Sequence, residues 1–148
     1  DQVIVLETNI DDMNPELFGH VADRLWDAGA KDVYLTPTQM KKGRPGTLLT
    51  VLCNATASKS LIHILLTETT TLGVRQTSMT RTILPRQSGS VSTPYGDIRV
   101  KIATLGKTTR STPEYDDCTR IAREQSIPIS EVYAAALRAS SPTPQASV

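Results

Sequence analysis

The chain has 148 residues, 39% apolar and only 4% aromatic, and a formal net charge of +1 at pH 7. This length supports one domain with an aliphatic core of Val, Ile, Leu and Ala. The near-neutral charge and scarce aromatics argue against a nucleic-acid surface, and no apolar run approaches membrane-spanning length. Cys53 and Cys118 stand in unrelated apolar contexts, outside any CxxC pair, so buried free thiols in a reducing cytoplasm are expected. No secretory leader is visible, and the chain opens on a strand without an initiator Met, as a piece of a longer protein would.

Residues 3–7 read as a strand apolar on both faces, hence central. The strand runs into Glu7-Thr8-Asn9-Ile10-Asp11-Asp12-Met13-Asn14-Pro15-Glu16. Glu7, Asn9 and Asp11 are two residues apart and point to one side while the chain stays extended. With Asp12 they offer hard oxygen ligands suited to Mg2+ or Mn2+. Helix capping is the competing explanation: Asn14 as cap, Pro15 at the first position, acids favouring the helix dipole. Capping accounts for Asn14, Pro15 and Glu16 but leaves Glu7 and Asn9 unexplained.

A helix is expected over 15–28, with Leu17, Val21, Leu25 and Ala28 on one face and Phe18, Ala22 and Trp26 beside them. Gly29 is its stop. A strand follows at 32–38. Gln39-Met40-Lys41-Lys42-Gly43-Arg44-Pro45-Gly46 reads as a loop, either a solvated turn or a flexible clamp for phosphates. It lacks the P-loop pattern. A third strand spans 48–53. A second helix begins near Thr56 and buries Leu61, Ile62, Leu65 and Leu66. His20 and His63 fall on the two helices and read as surface residues.

Glu68-Thr69-Thr70-Thr71-Leu72-Gly73-Val74-Arg75 ends that helix. Its hydroxyls and arginine suit an anion or ribose site, or an ordinary helix-to-strand junction. A strand is expected over 76–84, a turn over 85–90, and a hairpin of 91–93 with 98–103 around Pro94-Tyr95-Gly96-Asp97. Residues 106–111 read as a polar linker. Thr112 is expected to cap a helix with Pro113 at its first position and Cys118, Ile121 and Ala122 inside. Ser126-Ile127-Pro128 breaks it, and a last helix ends near Ala139, with Ile129, Val132, Tyr133, Ala136 and Leu137 apolar. The element order up to Arg81 predicts an α+β fold: a ferredoxin-like split βαβ sheet, with an added hairpin and two C-terminal helices. The expected layout is one domain over 1–139 and a disordered tail over 140–148.

Several blocks in order, ETNIDDMNPE, MKKGRPG, ETTTLGVR, TPYG, TPEYDDC and IPISEVY, resemble the C-terminal domain of the nickel insertion protein family. The resemblance covers almost the whole chain except the tail. It implies a nickel chelatase, or cyclometallase, that puts nickel into a pyridinium bisthiocarboxylate mononucleotide to complete the nickel-pincer nucleotide cofactor of lactate racemase. It further implies CTP with Mn2+ or Mg2+, and a homo-oligomer, trimer or hexamer. By resemblance Glu7, Asn9, Asp11 and Asp12 lie near the metal, and Lys41, Lys42 and Arg44 hold phosphates. Thr69, Thr70, Arg75 and Arg81 serve the nucleotide, and Tyr115 with Asp116 lies near the pocket or a subunit contact. Family members also carry a His-rich stretch in a larger N-terminal domain. This chain has two His and two scattered Cys, so nickel handling is incomplete here. The alternative is a small-molecule regulatory or oligomerisation domain, because this superfold hosts many functions.

Overall fold

The structure, a computed structural model, describes residues 1–106 and 108–140. They fall into two compact units, Asp1–Thr82 and the residues from Ile83 on.

The first unit runs β1 (Gln2–Ile10), α1 (Leu17–Asp27), β2 (Asp32–Gln39), β3 (Pro45–Cys53), α2 (Ser58–Glu68) and β4 (Arg75–Thr80). Its sheet has the order β2-β3-β1-β4, and every neighbouring pair is antiparallel. Each βαβ crossover therefore straddles one strand, which is the expected split βαβ arrangement. Alternation along the two central strands sends Leu6 and Ile10 of β1 and Leu49, Val51 and Cys53 of β3 to one face. There they meet Phe18, Val21 and Leu25 of α1 and Leu61, Ile64 and Leu65 of α2. Pro37 is tolerated inside β2 because that strand lies at the sheet edge.

The second unit runs β5 (Arg86–Thr93), β6 (Gly96–Leu105), β7 (Thr108–Pro113), α3 (Tyr115–Gln125) and α4 (Ile129–Ser140). The expected hairpin is present but longer: β5 and β6 pair from Thr93↔Gly96 to Arg86↔Ala103, so residues 86–90, expected as a turn, are strand. Gly96 takes the positive φ, 121°, that the turn demands. Ile98 of β6 packs with Cys118 and Ile121 of α3 and Val132 and Ala136 of α4. Among the described residues no helix is long and apolar enough to cross a membrane.

Four local expectations are corrected. Residues 108–113 form β7, not a linker and cap: the threonine-rich run is a good strand former and pairs with β6 from Leu105↔Thr108 to Val100↔Pro113. Pro113 thus ends a strand, and Glu114 with extended backbone precedes the helix. Asn14 does not cap α1; its side chain accepts from the Glu16 amide at 3.1 Å, closing a turn one step earlier. The inner faces are as expected at their centres, Val21, Leu25, Leu61, Leu65, Val132 and Ala136 being buried, but narrower at their margins: Leu17, Trp26, Leu66, Ile129 and Leu137 are exposed, while Ile64 and Ala135 are buried. β1 and β3 extend past their expected ends because they stay paired as far as Ile10↔Thr47. Of the expected tail, Ser140 closes α4 and 141–148 lie outside the described residues.

One buried carboxylate joins α3 to the second sheet. β7 leaves β6 at Pro113, where the Glu114 amide still donates to the Arg99 carbonyl at 2.8 Å. The Arg99 amide, left without a strand partner on that side, donates to Asp117 Oδ2 at 3.0 Å. The Arg99 guanidinium adds bonds from Nε to Oδ2 at 2.9 Å and from Nη2 to Oδ1 at 2.8 Å. Asp117 thus stands in for a missing carbonyl. Its bonds from the Arg99 side chain, then from the Arg99 amide, hold its pKa down at about 2.

Candidate nucleotide and cation site

Three connections meet at the C-terminal end of β1. The first is the acidic segment that follows the strand. The second is the β2–β3 hairpin tip, whose Met40 amide donates to the Arg44 carbonyl at 2.8 Å around a short 3-10 turn, Lys41–Gly43. Lys42 and Gly43 sit at φ 60° and 70° to make that turn. The third is the threonine-rich link from α2 to β4.

The side chains interlock across these connections. Arg44 Nη1 lies 3.3 Å from Asp11 Oδ2, so the basic loop reaches the acidic block directly. The Thr70 hydroxyl donates to Asp12 Oδ1 at 2.5 Å. Arg75 Nε lies 3.8 Å from Glu7 Oε2, across neighbouring strands. Beneath them the Thr8 hydroxyl, wholly buried in β1, bonds the Thr71 hydroxyl and the Gly73 carbonyl. That pins the threonine loop to the central strand. Lys41 and Lys42 are exposed and make no ion pair among the described residues.

The expected nucleotide set is thus divided. Arg44, Thr70 and Arg75 are brought to the acidic segment, and Lys41 and Lys42 flank Arg44. The Thr69 hydroxyl bonds the Leu65 carbonyl at 2.6 Å and so finishes α2. Arg81 lies at the opposite end of β1, clasping Asp1 Oδ2 through Nε at 2.9 Å and Nη2 at 2.6 Å. Tyr115 opens α3 in the second unit, on an apolar cavity shared with Ile129, Tyr133 and Ala134. His20 is exposed and 3.6 Å from Glu68 Oε2. Sequence reasoning passed over Thr8 and Thr71; the cue was a lone threonine at an inward position of a central strand.

Among the described residues no three of His, Cys, Asp and Glu converge on one point. Glu7 and Asn9 occupy the β1 face opposite Leu6 and Thr8, whereas Asp11 and Asp12 lie beyond the strand end. A closed protein cage is therefore absent among these residues. A Mg2+ or Mn2+ ion bound with phosphates needs only one or two carboxylates, the remaining oxygens coming from phosphate and water. Asp11 and Asp12 are two carboxylates past the strand end, and their oxygens are donors of the hard type such an ion takes.

The sequence profile described as "Nickel insertion protein" matches residues 1–133. The chain belongs to the nickel insertion protein family. It is 50% identical over 139 residues to the pyridinium-3,5-bisthiocarboxylic acid mononucleotide nickel insertion protein of Acetivibrio thermocellus, covering 94% of this chain and 34% of that one. The protein of the same name from Lactiplantibacillus plantarum is 48% identical over 137 residues, covering 93% and 33%. The chain thus spans about a third of the length of the curated relatives it matches. Among solved structures, the apo C-terminal domain of a cyclometallase involved in the synthesis of the NPN cofactor of lactate racemase matches with a TM-score of 0.88. The identity is 47%, over 94% of this chain and 96% of that one.

Proposed function

We propose that residues 1–139 act as the nucleotide- and cation-binding module of a nickel-inserting cyclometallase. The larger enzyme would convert pyridinium-3,5-bisthiocarboxylic acid mononucleotide to the nickel-pincer nucleotide of lactate racemase, with CTP and Mn2+ or Mg2+. The observation that carries this reading is the meeting of Asp11 with Arg44 and of Asp12 with Thr70, from segments 33 and 58 residues apart in the chain. Carboxylates beside arginine, next to two exposed lysines, suit a polyanion that arrives with its own divalent ion.

In this reading Asp11 and Asp12 hold the cation, and Thr70 fixes the Asp12 carboxylate. Arg44 exchanges its carboxylate partner for phosphate oxygens, and Lys41 and Lys42 add charge. The cation supplies charge neutralisation and polarises the phosphate oxygens. Glu7 and Arg75 border the same end of the sheet. Nickel is cargo: its imidazole or thiolate ligands belong to parts of the enzyme beyond this chain. The module works as a homo-oligomer, trimer or hexamer, in the cytoplasm, where its two buried thiols stay reduced.

Isothermal titration tests this. Mn2+ with CTP should bind, more tightly than Mn2+ with ATP. Asp11→Ala or Lys41→Ala should weaken binding by about tenfold or more, as loss of a charged contact does. A chain that ignores nucleotides yet responds to an amino acid would be a sensor domain, and the proposal would fail.

A further inference from the structure

In the second sheet, Ile98 of β6 faces α3 and α4. Alternation sends Arg99, Lys101, Ala103 and Leu105 to the other face. There Arg99 pairs with Asp117 at 2.8 Å and Lys101 with Glu114 at 3.0 Å. The next row sets Ala103 between Arg86 of β5 and Arg110 of β7, its direct partners on either side. Both arginines are exposed, and neither meets an acid among the described residues. The cationic charge that carboxylates answer elsewhere on this face is thus left open at one row. A cavity of about 150 Å³ lies against that row, lined by Leu84, Ala103, Leu105, Thr108 and Arg110. The alanine leaves the space, since a longer side chain at 103 would project into it. Leu105 is 66% exposed beside it, apolar surface that gains from being covered. A space of about 150 Å³ accepts a benzene-sized ring and excludes a whole nucleotide.

We propose that the Arg86–Ala103–Arg110 row binds a flat six-membered ring carrying two carboxylate-type groups. The ring lies over Ala103 against Leu84 and Leu105. One acid group meets the Arg110 guanidinium and the Thr108 hydroxyl, and the other meets the Arg86 guanidinium. A guanidinium presents paired N–H donors in one plane, the geometry that a carboxylate accepts. Arg86 and Arg110 stand two strands apart, about 10 Å between main chains, so they reach the ring from two sides. A ring with one acid leaves one arginine unanswered, and a bare oxyanion leaves the leucines uncovered. Within the function proposed above, such a ring is the acid-bearing end of the pyridinium substrate. The inference rests on that reading for the identity of the ligand, and on this sheet face for the site.

Calorimetric titration of the whole chain tests this, with pyridine-3,5-dicarboxylate, benzoate and orthophosphate as probes. The diacid should bind about tenfold or more tighter than either of the others, as a second charged contact gives. Arg86→Gln and Arg110→Gln should each cut its affinity about tenfold, to the level of benzoate. Ala103→Leu fills the space and should abolish ring binding, while Ala103→Ser keeps the space and should retain it. A diacid that binds no tighter than orthophosphate would overturn the proposal, the face then being a plain anion surface. So would wild-type affinity in a folded Ala103→Leu variant. 1-Methylpyridinium-3,5-dicarboxylate carries the ring charge of the substrate and should bind at the same row; its exclusion would overturn the assignment to that substrate. Mn2+ with CTP is titrated in parallel. Diacid binding without a CTP response supports this inference and removes the nucleotide reading. A CTP response without diacid binding overturns this inference alone.

Discussion

Asp117 offers a stability test whose size follows from the geometry. The carboxylate receives three bonds from Arg99 and keeps a side-chain exposure of only 11%. Its pKa falls from the ordinary 3.8 to about 2. At about 1.4 kcal/mol per pH unit that corresponds to about 2.5 kcal/mol favouring the folded state. The Arg99 side chain is 67% exposed, and solvent screening there reduces the contribution to about 1–2 kcal/mol. Because the folded pKa is depressed, the contribution is complete above 3.8 and disappears as the pH falls toward 2. Asp117→Asn preserves an acceptor for the Arg99 amide but removes the charge. Followed by circular dichroism at pH 7, it should lower the melting temperature of the second unit by roughly 5–10 °C. The gap to wild type should narrow steadily between pH 5 and pH 2. A gap of the same size at pH 2.5 and pH 7 would show that packing, not the ionised carboxylate, carries the effect.

Arg81→Ala should leave Mn2+–CTP affinity within about twofold of wild type, because Arg81 clasps Asp1 away from the candidate site; titration of the variant checks this. Cys53 and Cys118 are both fully buried, and burial pushes each thiol above its usual pKa. Neither should react with Ellman's reagent in the folded protein at pH 8, while both should react promptly in guanidinium.

Much of the architecture could be read from local pattern. The continuous apolar run of β1 and the two amphipathic helices around the second and third strands leave few arrangements besides the split βαβ sheet. β7 was hidden because Thr108-Thr-Arg-Ser-Thr has no apolar alternation. As an edge strand it is held by backbone pairing with β6, and its threonines, good strand formers, are the one local cue. The centres of the helix faces follow the period, but Leu17 and Leu66 at their margins look outward, since period alone does not tell how wide a stripe the sheet covers. The acidic and basic blocks were each legible. Their meeting was not, because it depends on β3 lying beside β1 and on the α2–β4 link crossing above Thr8.

Lys42 stands at φ 60°, a backbone region in which any residue with a Cβ is less stable than glycine by about 1 kcal/mol. A hairpin built only to join β2 to β3 would be more comfortable with Gly-Gly at 42 and 43. Keeping a lysine there gives up that stability. The tip that closes the β2–β3 connection therefore also sets an exposed cation beside Arg44, at a small cost in backbone stability.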